Sequence, residues 1–235
     1  MATVSQHALI VGAGPGLSAS IARAFSAAGM RISLAARDTG KLSELVSETS
    51  AQAIACDSSD SGSVEALFTQ LDASPYGDPS IVVYNPSARV RGPLVDLDPR
   101  DVDRALKVTA FGGFLVAQQA ALRMVGKGSG VILFTGASAS IKGYPQSAPF
   151  AMGKFALRGL AQSISRELQP RGIHVCHVNI DGGIRNAARG YVEPPDRPDS
   201  LLDPDAIAQT FLHLVRQPRS AWTFELEVRP WLEAF

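Results

Sequence analysis

The sequence predicts an α/β fold: a single doubly wound domain over 1–235, with a seven-stranded parallel sheet and helices on both faces. Three observations lead there. Short apolar runs alternate with longer segments of helical period along the chain. Runs such as Val131-Ile132-Leu133-Phe134 are continuously apolar, which suits strands buried on both sides. The first run also ends in a glycine turn that opens a helix. Strands are expected at 7–12, 31–36, 51–56, 80–84, 130–135, 173–179 and 222–228. Helices are expected near 16–28, 39–49, 61–73, 99–126, 150–169 and 203–216. The stretch 185–204 is rich in proline and charge and too long for a plain connector, so it is expected to be a substrate lid.

Composition narrows the classes. With 235 residues, 46% of them apolar and 19% charged, the chain can bury a full core. Formal net charge is zero, and no basic run points to nucleic acid or a membrane surface. No apolar run reads as long enough to cross a bilayer, and the first strand begins at His7, so a cytoplasmic protein is expected. Cys56 and Cys176 fall in strand-like runs and read as reduced core thiols. No cysteine or histidine cluster has metal-ligand spacing, and His174 and His177, three apart in one strand, point to opposite faces.

Leu9-Ile10-Val11 runs into Gly12-Ala13-Gly14-Pro15-Gly16-Leu17-Ser18. Counted from Gly12, a Gly-x-Gly-x-x-Gly loop would need glycine where Leu17 stands, so the pattern is Gly-x-x-x-Gly-x-Ser. A strand, a glycine turn and a helix start together point backbone N–H groups and the positive helix end at a pyrophosphate. Gly12, Gly14, Gly16 and Leu17 are the candidates for that cradle. A tight turn with no ligand is the plainer reading; the position at the first strand favours the phosphate. The second strand ends at Ala36, where a carboxylate would take the ribose hydroxyls of NAD(H). Arg37 follows and suits a 2′-phosphate, so NADP(H) is favoured over NAD(H). Asp38 beside it reads as a helix cap.

With these residues the chain resembles the short-chain dehydrogenase/reductase family, a Rossmann fold with sheet order 3-2-1-4-5-6-7. The resemblance covers nearly the whole sequence. The family opens with Thr-Gly-x-x-x-Gly-x-Gly; Gly12 and Gly16 match its first two glycines, and Ser18 stands for the last, small enough to allow close packing or else crowding the turn. By resemblance Asp57 meets the adenine, and Asn85 begins the family's Asn-Ala-Gly segment, here Asn85-Pro86-Ser87. Gly182 lies in the turn after the sixth strand, and Asn186 takes the place of a cofactor-contacting threonine. The catalytic asparagine is replaced by Thr109. Ser138 falls at the catalytic serine, and Lys154 at the lysine that holds the nicotinamide ribose.

The family's tyrosine is missing: Tyr-x-x-x-Lys is here Phe150-Ala151-Met152-Gly153-Lys154. A phenol can give a proton to a carbonyl oxygen and a phenyl ring cannot. Tyr144, in the loop before that helix, is a substitute candidate or simply a pocket wall. Tyr84, at a strand end, reads as buried. Two functions stay open. One is an NADP(H)-dependent oxidoreductase acting on a small-molecule carbonyl or alcohol with an altered active site. The other is a catalytically impaired nucleotide-binding sensor or partner subunit. The resemblance also implies a homodimer or homotetramer paired through the helices near 99–126 and 150–169, with Gly112, Gly113, Ala117, Ala120, Ala156 and Ala161 allowing close approach.

Overall fold

A computed structural model describes residues 6–233. Seven parallel strands form one sheet: β1 (His7–Val11), β2 (Arg31–Ala36), β3 (Gln52–Ala55), β4 (Ile81–Tyr84), β5 (Gly130–Thr135), β6 (Ile173–Ile180) and β7 (Glu225–Val228). Their order is β3-β2-β1-β4-β5-β6-β7, as expected. Val11 pairs with Ala35 on one side and with Tyr84 on the other, so β1 sits where the order reverses.

Successive residues in each strand alternate faces, and two cores result. Ala8, Ile10, Ile32, Leu34, Ile81 and Val83 pack under α1 (Leu17–Ala27), α2 (Ser43–Thr49) and α7 (Pro204–Val215). Leu9, Val11, Val82, Tyr84, Ile132 and Phe134 pack under α3 (Ser61–Asp72), α5 (Gly112–Met124) and α6 (Ala148–Leu168). Aspartates start three of the helices: Asp60 caps α3, Asp98 caps α4 (Pro99–Leu106) and Asp203 caps α7, each accepting from a first-turn N–H. Proline follows two of those caps, at Pro99 and Pro204, where its missing N–H costs nothing.

Two expectations about elements change. The helix near 99–126 is interrupted by a π-turn at Lys107–Phe111. It is also the one helix among the described residues long and apolar enough to cross a membrane, contrary to the sequence expectation: Pro99–Lys127 has a mean hydropathy of 1.2 in its most apolar window. In this fold its buried side packs on β4, β5, α3 and α6, and 44% of that window is buried. β7 starts late, because Trp222 and Thr223 are held by Gln217. The Trp222 indole N–H donates to the Gln217 carbonyl at 3.3 Å, and the Thr223 N–H to its side-chain oxygen at 2.8 Å.

The small residues of α5 and α6 serve the interior rather than a subunit contact. A Cβ on Gly112 would lie 2.4 Å from the Ser58 carbonyl and the Tyr84 hydroxyl, and one on Gly113 2.5 Å from Leu157. Ala117, Ala120 and Ala161 are buried, and of the six small residues only Ala156 is exposed. The exposed side of these helices carries Phe111, Phe114, Leu122, Met152 and Phe155 instead.

Candidate active site

The carboxyl ends of β1, β2, β4, β5 and β6 open into one cleft of about 810 Å³. Sheet reversal places it there, since loops leave β1 and β4 in opposite directions. Gly12 stands at the narrowest point, with φ +78° and a would-be Cβ 2.8 Å from Pro86. No other residue fits both the backbone and the gap. Gly16 also has a positive φ, +104°, and its would-be Cβ lies 2.7 Å from the Asn186 amide nitrogen. That amide donates to the Pro15 carbonyl at 3.3 Å, so Asn186 spans the turn from the far side. Ser18 does not crowd the loop. Its hydroxyl accepts from the Gly14 N–H at 3.0 Å and donates to the Gly14 carbonyl at 2.9 Å, closing the turn from within. Gly14 and Leu17 complete this wall.

Arg37 reaches the cleft from the end of β2 and is exposed. Asp38 is turned to local use: it accepts from the Gly40 N–H at 3.1 Å and pairs with Lys41 at 3.2 Å. Asp57 also lines the cleft. The Ser59 hydroxyl and N–H donate to its carboxylate at 2.7 and 2.9 Å and hold its pKa below the usual value, with a smaller contribution from Arg37. The cap of α3 is Asp60, which leaves Asp57 facing the cleft. Asn85 is fixed by its own N–H on the Val11 carbonyl at 3.1 Å and its side chain on the Gly12 carbonyl at 3.4 Å.

Phe150 and Lys154 lie one turn apart on α6 and line the same wall. Lys154 is buried, and its ammonium donates to the Thr135 carbonyl at 2.7 Å. Burial, helped by the nearby Arg89 charge, lowers its pKa from 10.5 to about 7. The Arg89 guanidinium stacks over the Phe150 ring at 4.5 Å from its centroid. Thr109 is buried in the π-turn. Its hydroxyl accepts from the Ala88 N–H at 3.1 Å, and its Cβ is what a Cβ on Gly153 would meet at 2.9 Å. It therefore ties the loop carrying Arg89 to α6. Tyr84 is buried, donating to the Val108 carbonyl at 2.5 Å, and its pKa is raised by burial.

Ser138 and Tyr144 are not among the cleft walls. Ser138 begins a tight turn whose next N–H groups, from Ile141 and Lys142, bond back to its carbonyl. Tyr144 is 41% exposed in the loop before α6, with the Lys142 ammonium over its ring. Gly182, with φ +144°, and Asn186, Arg189 and Tyr191 from the 185–204 stretch also line the cleft. Arg89 and Thr135 are wall residues that the sequence reading did not assign. The position of Arg89, four residues past Asn85 beyond a strand-end turn, was the available signal for it.

Residues 6–189 match the family model for short chain dehydrogenase. The chain belongs to the short-chain dehydrogenase family. It is 24% identical to an uncharacterised oxidoreductase of Staphylococcus aureus over 226 residues, covering 95% of this chain and 96% of that one. It is 27% identical over 172 residues to a 3-oxoacyl-[acyl-carrier-protein] reductase of Mycobacterium avium, covering 73% and 65% of the two chains. A short-chain dehydrogenase crystal structure from Rhodopseudomonas palustris superposes with a TM-score of 0.82 at 32% identity, covering 96% of this chain and 99% of that one. A metagenomic short-chain oxidoreductase in complex with NADP superposes with a TM-score of 0.84 at 27% identity, covering 98% and 99%.

The residues present in this short-chain dehydrogenase fit a nicotinamide dinucleotide. The Gly12–Gly16 turn leaves backbone room that a Cβ would fill. The Thr135 hydroxyl is buried on the cleft wall with no protein partner, and Lys154 has donors beyond the one spent on Thr135. A buried ammonium also carries a pH signature. The unfolded chain keeps the Lys154 proton up to about pH 10.5, while the fold releases it near 7, so the unfolded state binds more protons between those values. Stability without ligand is expected to rise with pH across that window. Lys154→Met should raise the melting temperature at pH 7 and flatten the rise, as measured by thermal unfolding from pH 7 to 10. An unchanged slope would mean that Lys154 is solvated.

Proposed function

We propose that the chain is an NADP(H)-dependent oxidoreductase that interconverts a small carbonyl compound and its alcohol, with proton delivery altered at Phe150. The observation that carries the reading is the single cleft joining the glycine turn, Arg37 and Lys154. The NADP held by the metagenomic relative supports it. The glycine turn and the start of α1 would hold the pyrophosphate, Arg37 the 2′-phosphate, Asp57 the adenine end, and Lys154 with Asn85 the nicotinamide ribose. Gly182 and Asn186 would close over the cofactor with the 185–204 lid. Bound there, the nicotinamide supplies or takes up the hydride. The chain's own part is orientation and charge. General acid catalysis is worth about a hundredfold to ten-thousandfold, so its loss adds roughly 3–5 kcal/mol to the barrier. Lys154, which exchanges its proton near neutrality, is the wall residue able to offset part of that. Ser138 and Tyr144 would need loop movement to help.

Subunit pairing is the second element of the proposal. The stacked Phe111 and Phe114, with Leu122, Met152 and Phe155, give α5 and α6 an exposed apolar side. We place a homodimer or homotetramer contact there.

Arg37→Ala is expected to weaken NADPH binding by roughly tenfold or more while leaving NADH nearly unchanged, since only the 2′-phosphate is lost as a partner. Equal losses in fluorescence titrations would remove that assignment. Phe150→Tyr places a hydroxyl beside Lys154 and Arg89, and carbonyl reduction with NADPH should rise by about tenfold or more. If NADPH binds and no carbonyl compound in a broad panel responds to Phe150→Tyr, the nucleotide-binding sensor or subunit becomes the better account. Light scattering at micromolar concentration should report a dimer or tetramer, and Phe155→Glu should lower the mass; a monomeric parent would discard the pairing surface.

A further inference from the structure

Two cations on the cleft wall, Arg89 and Arg189, have no part in holding the cofactor in the reading above. The wall carboxylates, Asp38 and Asp57, follow β2 and β3 at the other end. Other arginines near the lid are neutralised. Arg185 pairs with Glu193 and Asp203, and Arg229 with Asp181 and Glu227. Arg89 makes no ion pair with a described residue.

Its side chain is exposed, but the loop beneath it is held. The loop that carries it is pinned at three points: Asn85 to Val11, Pro86 against Gly12, and the Ala88 N–H to the Thr109 hydroxyl at 3.1 Å. The guanidinium is then laid on Phe150, 4.5 Å from the ring centroid. The ring removes water from one face and leaves the N–H groups around the edge of the guanidinium plane. A planar cation held by its face and open at its edge suits a planar anion with two oxygens. The ring beneath it is the one at which the reacting carbonyl would lie.

We propose that the substrate carries a carboxylate close to its reacting carbonyl, as in a 2-oxo or 3-oxo acid, and that Arg89, seated on Phe150, binds that carboxylate. The proposal rests on the cofactor reading above. It makes Phe150 the platform of the anion site. Arg89 is then a specificity residue, and the proton for the carbonyl oxygen comes from elsewhere, because a guanidinium does not release its own at working pH.

The test separates this idea from the cofactor reading by measuring binding rather than turnover. The full chain is first titrated with NADP+; failure to bind overturns the cofactor reading itself. The NADP+-saturated protein is then titrated by calorimetry with 2-oxo and 3-oxo acids of three to nine carbons, each paired with its methyl ester. At least one acid should bind roughly tenfold to a hundredfold more tightly than its ester. Arg89→Gln should abolish that preference without changing NADP+ affinity, and Arg89→Lys should retain only part of it, since a point charge loses the bidentate fit. Melting temperatures of both variants check that they fold. NADP+ binding with no acid preferred over its ester overturns the inference. So does a preference that survives Arg89→Gln, or an Arg89→Gln loss confined to NADP+, which would assign the guanidinium to a cofactor phosphate.

Discussion

The arrangement depends on one topological constraint: β1 lies between β2 and β4, so the chain changes direction across the sheet at Val11. Everything polar in the cleft descends from that reversal. The turn after β1 and the turn after β4 leave on different courses and meet at Gly12, against Pro86 and the Asn85 side chain. A side chain at Gly12 would have to push the two turns apart. The Asn85 N–H on the Val11 carbonyl sets the same separation from the strand end. The width of the cleft is therefore a backbone property, fixed before any side chain is considered, and the side chains then decide what it holds.

The inner end is governed by a buried ammonium. Lys154 stands on α6 with its charge against the last carbonyl of β5, at Thr135. That single bond does not replace the hydration it has lost, and its pKa falls to about 7. A group so poised gains from any ligand that offers it oxygen. It is also unlike the other cleft cations, because it can exist uncharged in neutral water. The helix that carries this lysine is packed by Gly153 against Thr109 and by Leu157 against the sheet.

Much of this was legible in the sequence because the signals were periodic or steric. Strand runs, helical periods and the Gly12 turn each have a local physical cause, and the observed elements begin within a residue or two of their expected places for most of the chain. The failures share a different cause. Gly112 and Gly113 look like small residues made for a neighbouring helix, but the close approach they permit is to Tyr84, Ser58 and Leu157 of the same chain. Tyr84 and Ser58 come from distant sequence. Ser18 looks like a crowded glycine until its hydroxyl is seen bonding to Gly14. Ser138 has the right spacing from α6, yet a tight turn leaves it off the cleft wall. Arg89 carries no motif at all; only the pinning of its loop brings it over Phe150.

In the proposed site, a phenyl ring where the family has a phenol and a stacked arginine belong together physically. A phenol both orients a carbonyl oxygen and gives it a proton. A guanidinium can only orient, because it holds its protons far above working pH. Placing Arg89 on Phe150 thus separates the two tasks. In the proposal, attraction for negative oxygen would be supplied by the guanidinium. Under the proposed function, proton exchange would fall to Lys154, whose pKa burial lowers with help from Arg89. The two cations are coupled through the same few ångströms of cleft: an anion bound at Arg89 would relieve the repulsion and draw the Lys154 pKa upward. Occupancy of the anion site would then favour the protonated lysine, the form able to give a proton to a carbonyl oxygen.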